Sequence, residues 1–271
     1  MQKVIYSLYG TLLFILLLST QIGVSSCTKE ITKQDTVWKS DIIGKHINDS
    51  LWGYYPIEGN TSDASGNNHA LTLKNGASLS YDIHGNDLSA LDFNGYENYA
   101  SIADGALFPS ATAFSVSLTV MPRENRGLFF GKQDYNTGKA ASFNVGIDNV
   151  INGDVARFSI TTNQDQICDQ IPANGYLLSN PRVFHPFAWY HVIITFNNGT
   201  MKLYINGSLV NSQTIDIHTI NHCVNGQFIL ANWWSGDHNG FNGKMDDIRI
   251  YTRTLSDIEV KYLFDKCSIN P

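Results

Sequence analysis

Glutamate is scarce in this 271-residue chain: of 24 acidic residues only five are Glu, at positions 30, 58, 97, 124 and 259. That leaves little material for the placed pair of carboxylates on which most glycosidases depend. Runs of basic residues are missing, and 18 Lys+Arg against 24 Asp+Glu give a net charge of -6. A surface built to neutralise a row of phosphates is therefore excluded, and nucleic acid with it as a partner. No C-x-x-C spacing joins any of the four cysteines, which gives no support to a zinc or dithiol centre. Gly-x-Ser-x-Gly, dinucleotide-type glycine patterns and internal repeats are also absent. Charged residues make up only 15% of the chain, whereas 14 Phe, 13 Tyr and 5 Trp supply more burial than a disordered chain could leave in water.

The N-terminus carries a processing signal. Lys3 gives a short positive start, and the apolar run Leu12-Leu13-Phe14-Ile15-Leu16-Leu17-Leu18 gives way to Ser19-Thr20-Gln21. That run falls short of the roughly 20 residues of a spanning helix and reads as an export signal. Val24-Ser25-Ser26-Cys27 resembles the lipobox of bacterial lipoproteins. The resemblance implies cleavage before Cys27, acylation of that residue and a lipid-anchored protein in the envelope of a Gram-negative cell, at the outer membrane rather than the inner. The alternative is an ordinary secretory signal cut nearby, with Cys27 free to pair. With Cys27 acylated, Cys168, Cys223 and Cys267 allow at most one internal disulfide. The organisation expected is a signal peptide over 1–26, a flexible polar tether over 27–48 and one domain over 49–271.

From Leu51 onward, short apolar stretches punctuated by Gly and Asn give the pattern of an antiparallel sandwich or barrel. The clearest unit is a meander. In Trp189–Phe196, period-two alternation puts Val192, Ile194 and Phe196 on one face; Met201, Leu203 and Ile205 share a face in the next strand. Asn206-Gly207 then suits a two-residue hairpin turn with positive φ at both positions. Ser256-Asp257-Ile258-Glu259 is a capping box, which predicts a helix of about two turns through Phe264.

Four stretches in order carry a wider resemblance: Leu51-Trp52-Gly53-Tyr54-Tyr55-Pro56-Ile57-Glu58-Gly59-Asn60 with Asp63-Ala64-Ser65-Gly66-Asn67; Ala90-Leu91-Asp92-Phe93-Asn94-Gly95; the meander from Trp189 to Gly207; and Phe241-Asn242-Gly243-Lys244-Met245-Asp246-Asp247-Ile248-Arg249-Ile250-Tyr251 running into Arg253-Thr254-Leu255-Ser256. Together, over Leu51 to Phe264, they resemble the laminin-G-like members of the concanavalin A-like lectin/glucanase superfamily. The resemblance implies an all-β jelly-roll sandwich of two antiparallel sheets with a short C-terminal helix. Its members include glycan-binding domains, protein-interaction domains and glycoside hydrolases, so the fold leaves function open.

Three sets of residues are candidates for chemistry. The related hydrolases carry Glu-x-Asp-x-(x)-Glu on one strand; no such triplet occurs here, and no catalytic residue is assigned. By strict alternation Asp246 points with Ile248 and Ile250 toward the core, where an unpaired charge is costly. The resemblance implies a structural calcium at this Asp, with backbone oxygens carried over to Glu58 and Gly95; the alternative is that Asp246 accepts turn hydrogen bonds only. The third set is Trp233-Trp234-Ser235-Gly236-Asp237-His238-Asn239-Gly240. Adjacent indoles cannot both enter the core of one strand, and Trp233, Trp234, Asp237 and His238 together suit a sugar ring and its hydroxyls. For Trp233 the competing reading is a cover over the sandwich edge. Tyr135 and Arg157 are further ligand candidates, and Trp189 is read as core. The expected function is a non-catalytic, carbohydrate-binding envelope lipoprotein, with a protein-interaction module or an unrecognised hydrolase as alternatives.

Overall fold

The computed structural model describes residues 41–109, 111–136, 139–148, 154–160, 175–180, 182–216, 218–220, 222, 226–233 and 240–267. Two antiparallel sheets form a sandwich. The eight-stranded sheet runs, in spatial order, β13 (Ser208–Thr214), β12 (Thr200–Ile205), β11 (Tyr190–Asn197), β6 (Ala113–Pro122), β15 (Asn242–Tyr251), β4 (Ala90–Asn94) and β3 (Ser78–Ser80). The later half of β15 pairs instead with β1 (Leu51–Tyr55). The seven-stranded sheet runs β10 (Tyr176–Leu178), β9 (Val155–Ile160), β8 (Lys139–Asp148), β7 (Gly127–Asp134), β14 (Gln227–Leu230), β5 (Tyr99–Ile102) and β2 (Leu71–Lys74).

The alternation read from the sequence builds the core. Val192, Ile194 and Phe196 of β11 and Met201, Leu203 and Ile205 of β12 are all buried in the main cluster, facing in from paired strands. Phe114 of β6 meets Phe143 of β8 across the sandwich at 4.4 Å between ring centroids, and Phe158 of β9 edge-on at 6.4 Å. Asn206 and Gly207 turn the β12–β13 hairpin with φ of 50° and 71°. Two lysines are buried among the described residues: Lys132 Nζ, between the sheets, donates to the Phe108 carbonyl at 2.6 Å, and Lys244 Nζ donates to the Tyr81 carbonyl at 2.9 Å.

A second apolar cluster sits on the outer face of the eight-stranded sheet. Ile193, Tyr204 and Tyr251 rise from β11, β12 and β15 to meet Leu255, Val260 and Leu263. The last two belong to a C-terminal helix, Asp257–Lys266, that opens with the capping box foreseen: Ser256 Oγ accepts from the Glu259 N–H, and Glu259 reaches back to the Ser256 N–H. The structure differs from the expected tether here. Residues 41–46 are helical; we call this stretch α1 and the C-terminal helix α2. Ile47 enters the second cluster, and Arg253 donates to the backbone carbonyls of His46 and Asp49. Short and polar, this segment has little apolar periodicity of its own; the partner that orders it lies some 200 residues away in the chain.

Candidate functional site

The two outer faces differ in chemistry. On the seven-stranded sheet a row of neutral residues crosses six strands in register: Ser159, Asn144, Gly131, Ile229, Ser101 and Thr72. Ser159, Asn144, Ile229 and Ser101 are each no more than 5% exposed. Ser159 Oγ donates to Asn144 Oδ1 at 2.7 Å, and Gln133 Nε2 to the Asn232 carbonyl at 2.9 Å.

Aromatic side chains gather at one end of this face. Tyr99 is at the start of β5, where alternation opposite to the buried Ala100 and Ile102 turns it outward. Its ring stacks on that of Tyr135, just after β7, with centroids 4.1 Å apart and planes 26° from parallel. Ala231, at φ 71°, turns the chain away from β14, and the Phe241 N–H closes the excursion onto the Ala231 carbonyl at 2.7 Å. At the base of this loop the Trp233 N–H donates to Asn232 Oδ1, and Asn232 Nδ2 reaches the Tyr96 carbonyl at 3.4 Å. Tyr96 is 51% exposed, and Trp233, Tyr99 and Tyr135 are half-buried. A side chain at Gly240 would lie 3.3 Å from the Tyr96 carbonyl, which shows how closely the loop packs on residues 95–96.

Two of the sequence candidates, Trp233 and Tyr135, thus fall in one neighbourhood. Trp234, Asp237, His238 and the lipidation candidate Cys27 lie outside the described residues, as do Cys168 and Cys223. Arg157 is elsewhere: it is on β9, four strand steps from β5 or roughly 19 Å at ~4.8 Å per step. There its guanidinium pairs with Asp148 at 2.6 Å. Sequence reasoning missed Tyr96 and Tyr99. Tyr99 was accessible through the alternation of Tyr99-Ala100-Ser101-Ile102; its pairing with Tyr135 was not.

On the outer face of the eight-stranded sheet, beside α2, a cavity of about 320 Å³ is lined by Asp246, Asp247, Glu58, Asp82, Arg249 and Trp189, among others. The strict alternation that aimed Asp246 at the core is broken by a bulge. Asp246 pairs with Thr119 and Arg249 with Ser117, so three steps on β15 oppose two on β6, and Asp247 takes φ 46°. Met245 and Ile248 therefore both face the core, and Asp246 opens outward into the cavity. Burial pushes its carboxyl up to about 8; the Asp247 N–H at 2.6 Å opposes this, and the charges of Asp247, Asp82 and Glu58 add to it. Trp189 is half-buried on this cavity and not in the core. Its parity is opposite to that of Tyr190, Val192 and Ile194, which do face in.

The carboxylates around Asp246 are largely engaged. Asp247 holds Arg249 at 2.9 Å, and the guanidinium lies 4.0 Å above the Tyr54 ring. Asp82 accepts the backbone N–H groups of His84 and Asn86 and the Asn86 amide. Its carboxyl is pushed up by burial, but those donors outweigh this and hold it below the usual range. Glu58 joins Asp246 on the cavity; Gly95 does not. With φ 79° and its Cα hydrogen against Asn242, Gly95 lies at the opposite end of β15 from the bulge. Among the described residues no three His, Cys, Asp or Glu side chains are grouped to hold a metal ion. A hard cation would take carboxylate oxygen from Asp246 and Glu58 and the rest of its six to eight oxygens from backbone and water. Asp246 and Glu58 could supply such oxygens, but Arg249, Lys266 and His84 line the same cavity, so the wall carries positive as well as negative groups.

A family model described as the concanavalin A-like lectin/glucanases superfamily, of laminin-G type, matches residues 94–261. The chain belongs to this superfamily. Solved structures agree in fold. Domain 4 of AbnA, an extracellular arabinanase of family GH43 from Geobacillus stearothermophilus, solved with arabinotriose, is 23% identical with TM-score 0.59; the match covers 79% of this chain and 98% of that one. The binding domain of Paraclostridial Mosquitocidal Protein 1 is 19% identical with TM-score 0.61, over 81% of this chain and 53% of that one. The binding domain of botulinum neurotoxin DC, solved with SialylT, is 16% identical with TM-score 0.59, over 82% and 52%. The chain spans about half the length of the two toxin domains, and at these identities the likeness is one of fold. A comparison with curated proteins finds no match.

Proposed function

We propose that this superfamily member is a non-catalytic glycan-binding module, and that the aromatic group Tyr96, Tyr99, Tyr135 and Trp233 is its contact surface. The observation that carries this is the Tyr99–Tyr135 stack at 4.1 Å, with half-buried Trp233 following Asn232, whose carbonyl Gln133 binds from β7. Flat aromatic faces beside amides offer a sugar both its C–H face and partners for its hydroxyls. The complex of the arabinanase domain with arabinotriose, matched over 98% of that domain, supports this reading. A glycan array tests the reading: retention that is lost in Tyr99→Ala without bond cleavage supports it. Turnover of a bound glycan would point to a hydrolase, and a blank array with a folded protein would favour a protein partner, the role seen in the neurotoxin domain bound to synaptotagmin II.

The same proposal has two further parts. A calcium ion held by Asp246 and Glu58 would neutralise the acid-rich cavity and tie β1 to β15. A chelator should then lower the melting temperature of the wild type and leave Asp246→Ala unmoved; equal responses would remove the metal. The export signal and lipobox-like Val24-Ser25-Ser26-Cys27 support anchoring in the cell envelope. Cys27→Ser should release the protein from membrane fractions, and unchanged fractionation would refute the anchor.

A further inference from the structure

A titratable ring lies beneath α2. His191 has the outward parity of β11, between Trp189 on the cavity and Ile193 in the second cluster, and is fully buried. Asn206 takes both of its backbone groups, at 2.9 and 2.8 Å. On the ring, Nε2 is 2.8 Å from Ser117 Oγ, whereas Nδ1 has no hydrogen-bond partner among the described residues. The Phe264 ring of α2 covers the imidazole, with centroids 6.2 Å apart and planes 15° from parallel. A side chain at Gly207 would lie 2.9 Å from the same phenyl ring, which therefore packs on the hairpin turn as well. We infer that docking of α2 and protonation of His191 exclude one another, so that the C-terminal helix is a proton-sensitive latch on the eight-stranded sheet.

Protonation makes both ring nitrogens donors. Nε2 can then donate to Ser117 Oγ, but Nδ1 would present an N–H and positive charge to a dry site without an acceptor, which is costly. Burial is the largest influence and brings the imidazole down to about 4; Asp247 opposes it and Arg249 adds to it, the two being paired with each other at 2.9 Å. From α2, the Cys267 thiol bonds Asp247, and Lys261 Nζ lies 5.3 Å from the centre of the Phe264 ring. Tyr204 of β12 and Tyr251 of β15 enter the same seam, and burial pushes both phenols up to about 12. The intervening strand β6 brings the hydroxyls of Ser117 and Thr119 and separates His191 from Asp246. An exposed imidazole titrates near ~6.5, so the undocked state binds more protons between that pH and about 4, and proton uptake there favours release. Above this window neither state is protonated, and below it both are. The helix can leave without parting strands, because it is held through the second cluster and not the main core. Its release would uncover Ile193, Tyr204 and Tyr251 and remove the seat of Ile47, loosening α1 with it.

The test combines amide hydrogen exchange with histidine NMR on the intact chain. By linkage from the two values above, the opening constant of α2 in the wild type, relative to that in His191→Gln, should rise roughly twentyfold from pH 7 to pH 5. Taking the ratio removes the carboxyls that both proteins share, Asp246 among them. Amides of Asp257–Lys266 should open more readily than those of β11 and β12 at both pH values. With labelled histidine, the ring identified by its contacts with Ser117 should titrate near 4 in the wild type and move up toward ~6.5 in Phe264→Ala. That comparison leaves the histidine in place and stands even if His191→Gln fails to fold. A ratio that does not change with pH, or a His191 midpoint unmoved by Phe264→Ala, would overturn the coupling. Opening of α2 only together with β11 and β12 would overturn the latch and make the helix part of one cooperative unit with the sheet.

Discussion

The two outer faces of the sandwich are made from strands of similar length and alternation, yet one is a structural seam and the other a chemically neutral plane. On the eight-stranded side, Ile193, Tyr204 and Tyr251 point apolar groups outward and two helices cover them. On the seven-stranded side the row from Ser159 to Thr72 is small and polar apart from Ile229, Arg157 and Asp148 pair off on β9 and β8, and Tyr99 and Tyr135 stack at one end. Alternation decides which residues face out. What the chain then packs over those residues decides whether the face stabilises the fold or is kept for a partner.

The largest effect should come from opening the seam. Leu263 of α2 is 2% exposed in the second cluster, and Leu263→Ala should cost about 3 kcal/mol through lost transfer energy and the cavity left behind. A lowered urea midpoint with an unchanged slope would show it. A loss under about 1 kcal/mol would mean that α2 is a loose appendage and that the contrast between the faces is overstated.

Next comes the charge locked between the sheets. Burial lowers the Lys132 ammonium to about 8, below the ~10.4 of an unfolded chain. Between these values the unfolded state binds more protons, so stability should rise with pH across roughly 8 to 10.4. Below 8 both states are protonated and the penalty is constant. Lys132→Met should therefore abolish the rise and stabilise the protein at pH 7 by about 2 kcal/mol, after allowing for the orphaned Phe108 carbonyl. Parallel pH–stability curves for wild type and variant would show that the ammonium is solvated and the core less dry than its geometry implies.

Smaller again is the cap of α2. Ser256→Ala removes the hydroxyl that accepts from Glu259 and should cost about 1 kcal/mol. If helix and sheet unfold as one unit, the loss appears in the global transition; if it appears only as fraying by hydrogen exchange, the seam is less cooperative than its packing suggests.

How much of this was legible in the sequence follows from the range of each cause. The meander, the Asn206-Gly207 turn and the capping box are set by neighbours within a few residues, and the structure has them where alternation and turn chemistry put them. The sandwich with its short C-terminal helix was legible through four ordered stretches. Asp246 was misplaced because a bulge inserts one residue at Asp247, and a parity argument cannot detect an insertion. Trp189 failed for a related reason: the strand's inward parity starts at Tyr190. The docking of α1, the separation of Gly95 from Asp246 and the meeting of Tyr99 with Tyr135 depend on elements far apart in the chain, and composition carries no trace of them.

The smallest effect on stability should have the sharper effect on function. Tyr96 is 51% exposed on the neutral side, whereas Tyr251 on the seam is fully buried. Truncating a half-exposed side chain in a turn removes little packing, so Tyr96→Ala should stay within about 0.5 kcal/mol of wild type. If the ring borders the glycan surface, the same change should weaken glycan retention severalfold, since a stacked aromatic contact contributes beyond its buried area. Measured together, melting temperature and glycan retention separate the two roles. A shift in stability with binding intact would make Tyr96 part of the scaffold that holds the Asn232 loop. Lost binding at unchanged stability would mark this rim as surface kept for a ligand, unlike the aromatics beneath α2, which are there to be covered.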